Sequence, residues 1–218
     1  MDVRELAPGL WRWTALHPDW TPAQAEDGEG WEQDVGCVYV ETAGSVLLID
    51  PLVPGEPAAR ETFLEHLDAD VARNGKPVSI LLTVFWHERS AGELAERYAA
   101  EVWANDGATK RIDSPVTNPF APADVLPGGL IGIDAQLADE TIYWLPEHRA
   151  LVPGDAILGV SDGGLRVCPA SWLRYLTQAD LKLALRGLLD LPVELVLVSH
   201  GEPVLEDGLA ALASALAE

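Results

Sequence analysis

The sequence predicts an α/β fold of the α+β kind; its strand-rich halves suggest two sheets packed face to face with helices outside, a layout that composition alone does not separate from other α/β arrangements. Three observations lead there. A buried-looking strand, Val78–Leu82, runs through a polar and aromatic stretch, Thr83–Gly92, into an amphipathic helix, Glu93–Ala100. A second buried strand, Glu194–Val198, stops at Ser199-His200-Gly201. The two halves of the chain are each rich in strands, and each closes with helices. Polar residues at a strand's carboxyl end, opening onto a helix, mark where such sheets place ligands.

The elements follow in order. Leu10–Leu16 alternates as a strand does. His17–Gln33, with two prolines, two glycines and five acids, reads as a long loop carrying Trp20 and Trp31. Gly36–Thr42 and Ser45–Asp50 form a hairpin turning at Ala43-Gly44. Pro57–Arg73 is a helix ended by Asn74-Gly75 and Pro77. Glu101–Asn105 is a short strand, and Asp113–Gly129 is loop. Leu130–Ala135, Thr141–Leu145 and Ala150–Val152 are strands, with Pro146–Arg149 turning the chain between the last two. Leu176–Leu189 is a helix capped by Thr177, with Asp180 placed for a capping box. Leu205–Leu216 is the final helix.

The 218 residues suit one domain with a sizeable core, and a hydrophobic share of 48% is ordinary for a globular protein. Thirty-five acids against 14 bases leave a formal charge of −21. That excludes nucleic acid and anionic membranes as expected partners, since phosphate binding needs a basic surface. No apolar run reaches the ~20 residues that span a bilayer. The amino terminus lacks a signal-peptide pattern, and Cys37 and Cys168 form no metal or redox motif. Free thiols and a cytoplasmic location are expected.

Four landmarks, in order, resemble the metallo-β-lactamase superfamily. Ile49-Asp50 ends the early hairpin. Thr83–Gly92 lies in register, through Gly92, with the motif H-x-H-x-D-H-x-x-G. Gly154-Asp155 ends a strand, turn and strand. His200-Gly201 ends the late strand. The resemblance implies a four-layer αββα sandwich over residues 1–218. At close to the minimal length for that fold, the chain has no room for an added substrate domain, which favours small ligands.

Mapped residue by residue, the resemblance also implies a depleted metal centre. The first-site histidines correspond to Val84, Trp86 and Gln136, and none of these is a zinc ligand. The second-site ligands correspond to Glu88, Arg89, Asp155 and His200. Arg89 brings a fixed charge to a ligand position. An ion pair of Arg89 with Asp155 or Glu88, with His200 alongside, is the expected internal replacement for the metal.

Each candidate has a plain structural alternative. His87 falls at a spacer position and reads as a surface or supporting residue, against a sharper reading in which His87, Glu88, Asp155 and His200 form a rearranged one-metal site. Asp50 is expected to fix backbone rather than perform chemistry. Trp86 either fills the vacated metal space or stacks on a flat ligand. Trp20 and Trp31 line the pocket or anchor their loop, and Trp172 is a weaker pocket candidate. His17, His66 and His148 are expected on loops or helix surfaces. Among catalytic candidates, His200, Asp155, Arg89 and His87 remain. The leading expectation is a metal-free cleft that binds a small molecule without hydrolysing it. The alternative is a hydrolase of esters, lactones or phosphodiesters using one zinc, manganese or iron ion at Glu88, Asp155 and His200. A purely structural module, its cleft plugged by Trp86, is the third.

Overall fold

The computed structural model describes residues 2–28, 30–122, 124–160 and 163–217; Met1, Glu29, Ala123, Ser161, Asp162 and Glu218 lie outside the described residues. Strand β1 (Val3–Ala7) pairs with β2 (Leu10–Leu16), and β2 with β3 (Asp34–Glu41), all antiparallel. The chain turns back as β4 (Val46–Ile49), with Val40 opposite Leu47. Thr42 closes that turn: its Oγ accepts the Ser45 N–H at 3.0 Å and donates to the Ser45 carbonyl at 2.8 Å.

Helix α1 (Pro57–Asn74) starts where Glu56 accepts the Ala58 and Ala59 N–H groups, with Pro57 at the first helical position. It ends at Gly75, whose φ of 67° is the left-handed turn a glycine makes freely. Three parallel strands follow: β5 (Val78–Leu81), β6 (Glu101–Asn105) after helix α2 (Ala91–Tyr98), and the edge strand β7 (Asn118–Phe120). Together β1 to β7 make a seven-stranded sheet in chain order.

The second sheet runs β13-β10-β9-β8 and uses β8 (Ile131–Asp134), β9 (Thr141–Leu145), β10 (Ala150–Val152) and, late in the chain, β13 (Leu195–Val196). A small hairpin of β11 (Ile157–Gly159) and β12 (Leu165–Val167) sits beside it. Helix α3 (Gln178–Leu185) carries the Thr177–Asp180 capping box and then tightens into a 3-10 turn through Asp190. Helix α4 (Gly208–Ala215) is last.

Strand alternation sorts the apolar side chains into three layers. Val46, Leu48, Val78 and Ile80 face outward onto Phe63 and Leu67 of α1 and Leu94 of α2. Leu47, Ile49 and Leu81 face inward and meet Tyr143, Leu145, Ala150 and Val152 of the second sheet. Ile142, Trp144 and Leu151 turn the other way, onto Leu181 and Leu185 of α3 and Leu212 of α4. Helix, sheet, sheet, helix is the expected layering, and each layer interface is a contiguous apolar cluster.

Several elements depart from the sequence reading. Strand β1, Val-Arg-Glu-Leu-Ala, is mostly exposed and shows no apolar alternation; pairing with β2 alone makes it a strand. Strand β7 contains Pro119, tolerated because β7 is an edge. Strands β11 and β12 are three residues each, too short for periodicity to reveal. The long loop contains a 3-10 turn, Pro22–Gly28. Among the described residues, no helix is long and apolar enough to cross a membrane.

The turn after β13 is packed with little tolerance. The Gly159 N–H donates to the His200 carbonyl at 2.9 Å. A Cβ on Gly201 would lie 2.3 Å from the Gly159 carbonyl oxygen, and its φ of 82° disfavours any side chain. Gly201→Ala is therefore expected to destabilise the fold by roughly 2 kcal/mol or more, within the range of strain and overpacking changes. Denaturant unfolding of the two proteins measures this.

Candidate metal centre

Four strand ends converge. Asp50 follows β4, Thr83 lies two residues beyond β5, Asp155 follows β10, and His200 lies beyond β13. Asp50 has a left-handed φ of 49°, which aspartate tolerates better than most residues. Its Oδ1 accepts the Thr83 N–H at 2.8 Å and its Oδ2 accepts the Thr83 hydroxyl at 2.5 Å. The chain then tightens into a 3-10 turn, Phe85–His87. That turn swings His87 back inward, to 3% exposure, with Nδ1 2.9 Å from the same Asp50 Oδ2. A carboxylate acceptor keeps the proton on Nδ1 and leaves the Nε2 lone pair free, which is how histidines are prepared to bind metal.

His87 Nε2 lies 3.3 Å from Asp155 Oδ1, and His200 Nε2 lies 3.2 Å from the same oxygen. The other oxygen, Oδ2, accepts the Trp86 indole N–H at 2.6 Å. Asp155 Oδ1 is buried and has no aligned hydrogen-bond donor. His87, Asp155 and His200 each offer one ligand atom, all within 4.8 Å of one another. Zinc bonds of ~2.0–2.1 Å at tetrahedral angles separate neighbouring ligand atoms by roughly 3.3 Å. The two measured separations match that edge. These two edges and the donor types suit one small divalent ion held by two imidazoles and one carboxylate oxygen, with the third pair of ligand atoms within 4.8 Å.

Charge at the cluster is finely balanced. Burial and the Arg89 cation pull the His87 imidazole down, but Asp155 and Asp50 on its two sides outweigh them, and its pKa lies above the ordinary value. Burial would raise Asp155, yet His87 and His200 hold it well below the usual carboxylate range. Burial lowers His200 against the pull of Asp155. A proton on His87 and a metal ion are thus alternative ways to neutralise the same pair of carboxylates.

Behind Asp155 stands Glu140, fully buried. Its carboxylate accepts the N–H groups of Gly154, Asp155 and Ala156 at 2.9–3.1 Å and so holds the strand end that presents Asp155. Burial and the Asp155 charge push Glu140 up to about 8. No local pattern marks this residue, which lies between two strands next to another acid, Asp139.

The remaining candidates fall as follows. Glu88 does not join the cluster: one residue further round the turn it points away and accepts the Asp113 and Ser114 N–H groups at 2.7 and 2.6 Å. His87, assigned to a spacer position, takes its place. Arg89 pairs with neither Glu88 nor Asp155 among the described residues. Its Nη1 instead donates to the carbonyls of Gly36 at 3.0 Å and Asp50 at 2.9 Å, acceptors that the ends of β3 and β4 present.

Val84 is buried in its strand extension, and Gln136 is exposed at the rim, bonded to Asp134. Trp86 is 43% exposed and serves as a wall and a donor, not as filling. Trp31 packs on His200, with ring centroids 4.9 Å apart, while Trp20 stays outside the lining and anchors the Trp31 carbonyl through its indole N–H. Asp50 lies behind the cavity wall. Among the loop and surface histidines, His66 is exposed on α1, and His148 lies in the turn before β10. His17 stays on its loop but lines the cavity, as do Trp172 and Tyr175. The cavity in front of the cluster measures about 840 Å³.

No protein-family model matches this sequence, and no curated protein matches it. Solved structures do. The metallo-β-lactamase from Pontibacter korlensis superposes with a TM-score of 0.68 over 99% of this chain and 98% of its own, at 18% identity. VMB-1 superposes at 0.65 over 99% and 98%, at 16% identity. FIM-1 from Pseudomonas aeruginosa, solved in a mono-zinc form, superposes at 0.66 over 99% and 94%, at 14% identity. The chain has the metallo-β-lactamase fold. At these identities the likeness speaks for the fold alone.

Two outcomes test Glu140. Glu140→Ala leaves three buried N–H groups without an acceptor and is expected to cost roughly 3 kcal/mol or more. A carboxyl that binds its proton more tightly when folded stabilises the fold most at low pH and loses that contribution as pH rises. Relative to Glu140→Gln, wild-type unfolding free energy is expected to fall between about pH 4.5 and about 8. Parallel denaturant titrations at several pH values show whether that slope exists.

Proposed function

We propose that this protein is a one-metal hydrolase of a small ester, lactone or phosphodiester, with the ion held by His87, Asp155 and His200. The observation that carries the reading is Asp155 Oδ1, buried and without a hydrogen-bond partner, facing two imidazole Nε2 atoms at tetrahedral-edge distances. An ion at that position would polarise a carbonyl or phosphoryl oxygen and lower the pKa of water. The chain supplies the rest. Asp50 keeps His87 in the Nδ1–H tautomer, and Trp86 commits Asp155 Oδ2 so that Oδ1 alone faces the site. Trp31, Trp86 and Trp172 give the cavity apolar walls suited to a small organic substrate. One structural neighbour was solved in a mono-zinc form, so a protein of this fold can hold a single zinc ion.

The charge of −21 argues for a small molecule over nucleic acid, and two buried free thiols suit a reducing cytoplasm. One observation favours a second reading. Val84, Trp86 and Gln136 offer no ligands for another ion, and a proton on His87 can replace the remaining one. The chain would then be a metal-free binding protein.

Mass-spectrometric metal analysis after reconstitution with zinc, manganese or iron separates the two readings. About one ion per chain is expected, lost in His87→Ala and in His200→Ala and kept in Glu88→Ala. Chelation should abolish hydrolysis of aryl esters or phosphodiesters. Absence of bound metal under every condition would sink the hydrolytic reading in favour of the metal-free one.

A further inference from the structure

The floor of the cavity has more buried donors than acceptors. Arg89 Nη1 is committed to two backbone carbonyls, but Nε and Nη2 are buried with no hydrogen-bond partner. His200, 6% exposed, has its Nδ1 buried and unpartnered too. His200 Nε2 lies 3.2 Å from Asp155 Oδ1, so the donors that stay free with or without an ion are those of Arg89. Strand β3 brings these groups together: Val35 bridges to His200, the Gly36 N–H donates to the Ser199 carbonyl at 2.7 Å, and the Gly36 carbonyl holds Arg89. Both Arg89 and His200 line the cavity, and the unpartnered Arg89 nitrogens lie just beneath its surface, so an anion reaches them by displacing a neighbouring side chain. Arg12 adds a second cation against Gly36, where a Cβ would lie 2.7 Å from its Nη2.

The nearby carboxylates are engaged elsewhere. Asp50 serves Thr83 and His87, Asp155 gives Oδ2 to Trp86 and turns Oδ1 toward the two imidazoles, and Glu88 serves residues 113 and 114. Arg89 is half-buried, and leaving its Nε and Nη2 donors buried without acceptors is costly. Arg89 also holds a left-handed φ of 44°, unfavourable for a residue with a Cβ, so its placement costs backbone energy as well. The Nε and Nη2 edge is the pair of parallel donors that receives a carboxylate or phosphoryl group through two bonds.

We propose that Arg89 forms an oxyanion subsite beside the metal position, so that the cavity's ligand carries a carboxylate or phosphoryl group. The inference takes its cavity from the hydrolase reading, but anion binding by Arg89 needs no metal. It narrows the substrate to an anion, which a protein of charge −21 would otherwise repel.

Calorimetric titration of chelator-treated protein with inorganic phosphate, and separately with benzoate, tests this. One saturable site is expected, weakened at least tenfold in Arg89→Met and partly retained in Arg89→Lys. Binding of phosphate alone assigns a phosphoryl group, and binding of benzoate alone a carboxylate. The wild-type Arg89 Nε–H resonance should shift on saturation, a readout that does not depend on the variants folding. Binding of neither anion, equal affinity in Arg89→Met, or an unmoved Arg89 Nε–H resonance would overturn the inference. Metal analysis is independent: anion binding without metal retains the subsite and removes the hydrolytic reading, and metal without anion binding does the reverse.

Discussion

The Asp50 carboxylate is the junction on which the site depends. It ends β4, closes onto the first residues beyond β5 through the Thr83 amide and hydroxyl, and fixes the His87 ring. Two neighbouring parallel strands are thereby tied at their carboxyl ends by one fully used side chain. Its own carbonyl holds Arg89. Backbone registration, histidine tautomer and the position of the nearest cation all pass through this residue. Its left-handed backbone is the local cost of turning the carboxylate inward.

A second carboxylate does the same work on the other sheet. Glu140 binds three consecutive amides at the end of β10 and presents Asp155 toward the first sheet. The apolar layer between the sheets, built from Leu47, Ile49 and Leu81 against Tyr143, Leu145 and Val152, sets how far apart these two ends stand. The metal cluster therefore lies across the sandwich, with His87 from one side and Asp155 and His200 from the other. Three acids near one point must be balanced, and the structure does so with histidines and hydrogen bonds. Arg89 contributes charge at a distance, through its effect on His87 and His200.

Much of the layering was legible in the residues. The runs at 46–50, 78–82 and 141–145 alternate or stay apolar because both faces of their sheets are covered. Glu56-Pro57, Gly75 and the Thr177–Asp180 pair mark helix ends by local hydrogen bonding. Strands β1, β7, β11 and β12 were not legible, since they are short or polar and exist through pairing with distant partners. Within the site, Asp50, Asp155 and His200 stood out because they match landmarks of the superfamily that the chain resembles. The exchange of Glu88 for His87 did not, because position within a motif predicts direction only if the turn keeps its geometry. Glu140 carried no signal at all.

The sequence by itself determined which segments are strands and helices, which faces are apolar, and which ionisable residues stand at strand ends. Those properties follow from local sterics, capping and periodicity. Only the tertiary structure decided which of those residues meet. Whether Arg89 finds a carboxylate or a carbonyl, and whether Glu88 or His87 faces Asp155, depends on a 3-10 turn of three residues and on atoms more than fifty positions away. Local chemistry cannot specify distances of that kind, because they are set by how two sheets pack.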